Sequence, residues 1–180
     1  MEITIREMDE QTLPNVNQCD STFTVNSHLV LSAENGKISY TVAPVSPREK
    51  SYPPEPKDYR SYLNDPGKVI FFAYADGELA GQIRMLKWWN AFACIDDLAV
   101  EPRFRRHGVG RALIQRAVEW ARANGFPGVV LETQNINVSA CRLYQSCGFE
   151  LGGFDRNVYK ALTPSTDEIA LYWYLIFPPS

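Results

Sequence analysis

The stretch DLAVEPRFRRHGVGRALIQRAVEWARANG, residues 97–125, decides how this chain folds. Its left end completes FACIDDLAV (92–100), a short apolar-rich run that reads as a strand. From residue 109 the apolar spacing changes to the helical period. Val109, Gly110, Leu113, Ile114, Ala117, Trp120 and Ala121 share one face, and Arg111, Gln115, Glu119 and Arg122 share the other. Asn124-Gly125 supplies the stop. Between strand and helix lies RFRRHGVGR (103–111), with four arginines, one histidine and two glycines.

That connection has the chemistry of an anion site. The first N–H groups of a helix have no partner inside it, and the macrodipole adds partial positive charge there. Gly108 and Gly110 lack Cβ atoms, so a phosphate can come close to the main chain. Arg105, Arg106 and Arg111 can add charge-assisted bonds. The ligand implied is a phosphate or, better, a pyrophosphate. A Walker loop needs Gly-Lys-Ser/Thr, which is absent, and a dinucleotide fingerprint fails at Leu113. His107 reads as a phosphate neighbour or a surface residue rather than a base.

Outward from this stretch the chain reads as one domain over residues 1–180, with its centre at 69–177. Residues 2–6 alternate as a strand, and 28–34 and 37–43 flank the hairpin signal Asn35-Gly36. Residues 44–58 hold five prolines and read as a surface loop, followed by a short helix near 57–63. A second hairpin joins VIFFAYA (69–75) to ELAGQIRML (78–86) through Asp76-Gly77. PGVVLETQ (127–134) is a buried strand, 137–147 a second helix, and 149–154 and 168–177 closing strands. The class is α/β: a mixed, mostly antiparallel twisted sheet flanked by helices.

Composition excludes several functions. No apolar run reaches the length of a membrane span. The acidic start MEITIREMDE is not a signal peptide, which points to the cytoplasm and to free thiols at Cys19, Cys94, Cys141 and Cys147. No CxxC pair and only two histidines argue against a metal site. A net charge of −3 disfavours nucleic acid and suits cationic ligands.

Arg105-x-x-Gly108-x-Gly110 after LAV (98–100) resembles the acyl-CoA signature of the GNAT-type N-acetyltransferases. Asn137, Ala140, Tyr144, Gly148 and Phe149, in NVSACRLYQSCGF, resemble that family's second region. The resemblance implies acetyl-CoA as cosubstrate, its pyrophosphate wrapped by the amides of Arg106, His107, Gly108, Val109, Gly110, Arg111 and Ala112. It implies that Leu98, Ala99 and Val100 lie along the pantetheine arm, that Asn137 and Ala140 bind it, and that Tyr144 protonates the departing thiolate. Helical spacing puts 137, 140, 141, 144 and 147 on one stripe. A core tyrosine would fit that stripe equally well.

The acceptor amine must lose a proton, and Asp96, Asp97 and Glu132 are the carboxylates at hand. Alternation sends Asp96 and Asp97 to opposite faces unless a bulge intervenes. Asp97 and Glu132 fit a base, acting directly or through water, and a structural or cation-binding carboxylate equally well, and Asp96 reads first as structural or cation-binding. KWWNAFACIDDLAV (87–100), LETQNINVSACRLYQSCGF (131–149) and IALYWYLIF (169–177) resemble the streptothricin acetyltransferases, a resistance group within the family. That implies acetylation of a β-lysine amino group on a polycationic drug. Asp96, Asp97, Glu132 and Asp155 are candidate partners for it, with one of Trp88 and Trp89, here Trp89, as a candidate aromatic face. Tyr52 and Tyr59 of the proline-rich region could cover the substrate. Two alternatives are an acetyltransferase for protein N-termini or lysines, and a CoA-binding module without turnover. The C-terminal aromatic strand could pair within the sheet or across a homodimer.

Overall fold

The computed structural model describes residues 1–54 and 56–179. In chain order the strands are β1 (Ile3–Glu7), β2 (Phe23–Glu34), β3 (Lys37–Lys50), β4 (Lys68–Ala75), β5 (Glu78–Lys87), β6 (Ala93–Val100), β7 (Gly128–Gln134), β8 (Glu150–Asp155) and β9 (Ala170–Ile176). The helices are α1 (Val109–Ala123), between β6 and β7, and α2 (Val138–Ser146), between β7 and β8. This is the α/β class expected from the sequence, and every strand pair with an assigned register is antiparallel.

The chain divides into two compact units. The first comprises Met1–Thr22, Ser51–Val129 and Ile176–Ser180. In it β1, β4, β5 and β6 lie in that order, and α1 packs against them. Residues 69–73 of β4 are all fully buried, because the strand is covered on both faces. Helix α1 buries Val109, Leu113, Ile114, Ala117, Trp120 and Ala121, close to the stripe read from the sequence. The β4–β5 turn places Asp76 at φ 49° and Gly77 at φ 86°, both positive as a type I′ turn requires. A Cβ on Gly81 would stand 2.8 Å from the Ala99 carbonyl and 3.0 Å from Leu113, so β5 fits here only as glycine.

The second unit comprises Phe23–Lys50 and Val130–Leu175. Strands β2 and β3 form a two-stranded sheet around Asn35-Gly36, both at positive φ. Strands β7, β9 and β8 lie in that order, and α2 packs against β2. Here one expectation is corrected: β3 runs on to Lys50, so Pro44 and Pro47 lie in a strand and not in a loop. The prolines are tolerated because β3 has only β2 as its strand partner. Register slips between Val25–Arg48 and Ser27–Pro44, leaving residues 45–47 opposite Asn26 alone. The short helix expected near 57–63 is a single 3₁₀ turn, Tyr59–Tyr62, capped by the Asp58 carboxylate. Glu55, inside the predicted loop, lies outside the described residues.

Candidate active-site residues

The basic turn has a built shape. After a 3₁₀ turn at Pro102–Phe104, Arg106 adopts φ 65° and Gly108 φ 88°. The helical ladder then starts with the Ala112 amide donating to the Gly108 carbonyl at 2.9 Å. Among the described residues the amides of residues 106–110 have no hydrogen-bond acceptor. Among the described residues, its chain neighbours aside, no atom lies within 4 Å of where a Gly108 Cβ would stand. The turn therefore presents donors and open space together, which fits a pyrophosphate.

Its side chains divide the work unevenly. Arg106, His107 and Arg111 are exposed. Arg105 is engaged in the fold: Nε donates to the Val100 carbonyl at 2.8 Å and a terminal nitrogen to the Asp20 carbonyl at 3.0 Å. It braces the end of β6 where the sequence suggested a direct phosphate contact. Arg103 pairs with Glu78. His107 donates through Nδ1 to the Arg105 carbonyl at 2.8 Å, which fixes its ring. Leu98, Ala99 and Val100 form the end of β6, opposite Ile83, Gln82 and Gly81 of β5.

The two aspartates do meet a bulge. Arg84 pairs with Asp97 and Met85 with Ile95, so Asp96 is the extra residue of β6. Both carboxylates consequently engage side chains from one face of β5. Arg84 Nε donates to Asp96 Oδ2 at 2.6 Å, and Gln82 Nε2 to Asp97 Oδ2 at 2.6 Å. Arg84 is 8% exposed and Gln82 is 2% exposed. Burial works against the Arg84 charge, but the Asp96 bond and the charges of Asp97 and Asp96 outweigh it and raise its pKa. Tyr59 is buried, with its hydroxyl accepting from Arg84 Nη1 at 3.2 Å and its ring under the guanidinium. Tyr59 is thus a core residue of this network, not a flap over the substrate. Asp96 and Tyr62 also interact: burial first, then the Asp96 charge, pushes the Tyr62 hydroxyl up to about 12.

In the sequence, the signal for this network is two polar residues, Gln82 and Arg84, spaced by two in the apolar run ELAGQIRML. Asn17, whose main-chain amide donates to Gln82 Oε1, gives no such signal. Trp88 and Trp89 do not alternate along a strand as expected. They form the β5–β6 turn, where the Trp88 amide donates to the Phe92 carbonyl and the Ala91 amide to that of Trp88. Trp89 is 84% exposed and leans on Trp88, ring centroids 6.0 Å apart.

In the second unit, Asn137 caps α2, its side-chain oxygen accepting from the Ala140 amide at 3.2 Å. That bond leaves the Asn137 NH₂ as the end able to donate. Tyr144 lies on the same stripe, 7% exposed, with its ring against Phe149. Glu132 is exposed on β7 between buried Leu131 and Thr133, and it accepts from the Tyr159 hydroxyl at 2.8 Å. Tyr172 is nearby, its hydroxyl pushed up to about 12 by burial and by the charges of Glu132 and Asp155. Asp155 holds its own loop, accepting from the amides of Asn157 and Val158.

Burial pushes the Cys19 thiol up to about 11 and the Cys141 thiol up to about 12, the opposite of an activated nucleophile. Among the described residues no group of three or more His, Cys, Asp or Glu is placed to hold a metal ion. No helix of the described residues is long and apolar enough to cross a membrane.

Comparisons with known proteins agree with this arrangement. Streptothricin acetyltransferase A of Bacillus subtilis is 37% identical over 96% of this chain and 99% of its own length. A Bacillus anthracis protein assigned by name to the streptothricin acetyltransferases, solved with acetyl coenzyme A, is 42% identical, with a TM-score of 0.90 over 99% of both chains. The crystal structure of a nourseothricin acetyltransferase is 32% identical, with a TM-score of 0.81 over 98% of this chain and 99% of its own. The profile described as "Acetyltransferase (GNAT) family" matches residues 37–149, and with it and these full-length relatives, the chain belongs to that family and is an acetyltransferase.

Proposed function

We propose that this enzyme acetylates streptothricin-class antibiotics on an amino group of their β-lysine moiety, using acetyl-CoA. Likeness across nearly the whole chain to a streptothricin acetyltransferase carries the choice of acceptor. The unpartnered amides of residues 106–110 carry the choice of cosubstrate. Residues 1–180 act as one acetyltransferase domain, in the cytoplasm.

The main-chain amides of residues 106–110 hold the pyrophosphate, with Arg106 and Arg111 adding charge from outside, whereas the Ala112 amide is already bonded to the Gly108 carbonyl. Arg105 is a positioning residue that keeps the turn in shape through its bonds to Val100 and Asp20. The end of β6, Leu98 to Val100, lies along the pantetheine arm, and the Asn137 NH₂ donates to it beside Ala140. Transfer is direct. The neutral amine attacks the thioester carbonyl, the carbon–sulfur bond breaks, and Tyr144 gives its phenolic proton to the departing thiolate. The amine's proton passes to a carboxylate, Asp97 or Glu132, directly or through water. Glu132, Asp155 and exposed Trp89 supply negative charge and an aromatic face for the rest of a polycationic drug. Asp96 contributes less, because Arg84 already compensates its charge.

The test mixes enzyme, acetyl-CoA and streptothricin and follows free thiol together with the mass of the drug. Thiol release that requires the drug, with acetylated drug as product, is expected. No release and an unmodified drug would reject this acceptor.

A further inference from the structure

The first unit contains a chain of polar side chains, with Tyr59, Gln82 and Arg84 buried, that leads to Asp96 and Asp97. It starts at Asn17, whose backbone sits at φ 62° in the left-handed region that asparagine tolerates. The Asn17 main-chain amide donates to Gln82 Oε1 at 2.7 Å. That bond fixes which end of the Gln82 amide is the donor. Its two hydrogens go to Asn17 Oδ1 at 3.0 Å and to Asp97 Oδ2 at 2.6 Å. Since Asn17 Oδ1 accepts, its Nδ2 donates, to the Tyr59 hydroxyl at 3.1 Å. The same hydroxyl accepts from Arg84, and Arg84 bonds Asp96. The amide ends of Asn17 and Gln82 are thereby both assigned, and Arg84 donates to both the Tyr59 hydroxyl and Asp96.

The two adjacent aspartates are thereby made unlike. Asp96 faces a guanidinium that matches its charge. Asp97 is bonded by a neutral amide, which orients one oxygen and cannot cancel the charge. Its other oxygen makes no hydrogen bond among the described residues. One cation and two carboxylates leave this cluster one positive charge short.

We infer that Gln82, held by Asn17, is the positioning residue that aims Asp97 and keeps it as the carboxylate that meets the acceptor amine, bonded by an amide where Asp96 is bonded by a guanidinium. This rests on the reading of the protein as an acetyltransferase for a cationic drug.

A double-mutant cycle tests it, with Gln82→Met, Asp97→Asn and the pair, measured by steady-state kinetics for streptothricin and for acetyl-CoA. A hydrogen bond to a charged group is lost, so Gln82→Met should lower kcat/KM for the drug about tenfold, mostly through KM. KM for acetyl-CoA should stay put. Because Gln82 acts through Asp97, adding Gln82→Met to Asp97→Asn should cost nothing more. Losses that multiply, or a parallel rise in KM for acetyl-CoA, overturn the inference. Should Gln82→Met fail to fold, Asn17→Gly carries the test. It keeps the left-handed backbone, removes the side-chain amide, and should show the same split. A wild type that leaves streptothricin unmodified counts against the functional reading only. The crystal structure of Gln82→Met, or of Asn17→Gly, then decides: a displaced Asp97 carboxylate supports the positioning role, and an unmoved one overturns it.

Discussion

Tyr144 and Asp97 sit at opposite ends of the proposed proton traffic, and they differ in how plainly the sequence announces them. Tyr144 lies on a helical stripe with Asn137, and the structure keeps that stripe. If its hydroxyl protonates the thiolate, Tyr144→Phe should lower kcat by about 10²- to 10⁴-fold. Acetyl-CoA affinity, read by calorimetry, should change less than twofold by the same logic, since the ring stays in place. An unchanged kcat would remove the acid role. Asp97 was visible beside Glu132 as a candidate base and was preferred to Asp96, but without the contacts that set the two aspartates apart. What separates it from Asp96 is a bulge opposite Arg84 and Met85, and a one-residue slip in pairing leaves no mark in composition or period. Arg105 shows the same limit in reverse. Its charge suggested phosphate contact, yet its bonds go to two carbonyls, one of them at Asp20, 85 residues away in sequence.

At the scale of elements, the turn into α1 carries the strongest claim. Gly108 is there for two reasons: a φ of 88° that other residues rarely adopt, and space that, among the described residues, none but its chain neighbours approaches. Gly108→Val should cost about 1–3 kcal/mol of stability in urea unfolding through backbone strain. It should also weaken acetyl-CoA binding at least tenfold, because a side chain would occupy the ligand's space and disturb the amides. Unaltered affinity would mean the pyrophosphate binds elsewhere. Elements with a strong local pattern were legible in advance: α1 by its apolar period, and both hairpins by Asn-Gly and Asp-Gly. The far half of β3 was not, because Pro44 and Pro47 argue for a loop unless the strand is known to lack a second partner. Likewise Trp88 and Trp89 look like strand residues until β5 is seen to end at Lys87.

For the whole molecule, a net charge of −3 and a turn crowded with arginine are two sides of one function. The cosubstrate is an anion and the proposed acceptor a polycation, so one chain must attract both. The arginine-glycine turn and Asp97 belong to the first unit, and Asn137, Tyr144 and Glu132 to the second. Acidic residues then confer on the chain the sign that draws a cationic drug, while backbone amides, which add no net charge, hold the phosphates. The family, the class and the cosubstrate were all within reach of the sequence. The wiring that makes Asp96 and Asp97 unlike was not, since it depends on contacts from Asn17 to Gln82 and from Arg84 to Tyr59 that no local pattern encodes. The most direct measurement is to acetylate streptothricin with this enzyme and locate the new acetyl group by tandem mass spectrometry and NMR. The account predicts a single acetyl group on a β-lysine amine. An acetyl group on any other part of the drug, or a drug returned unchanged, would contradict it.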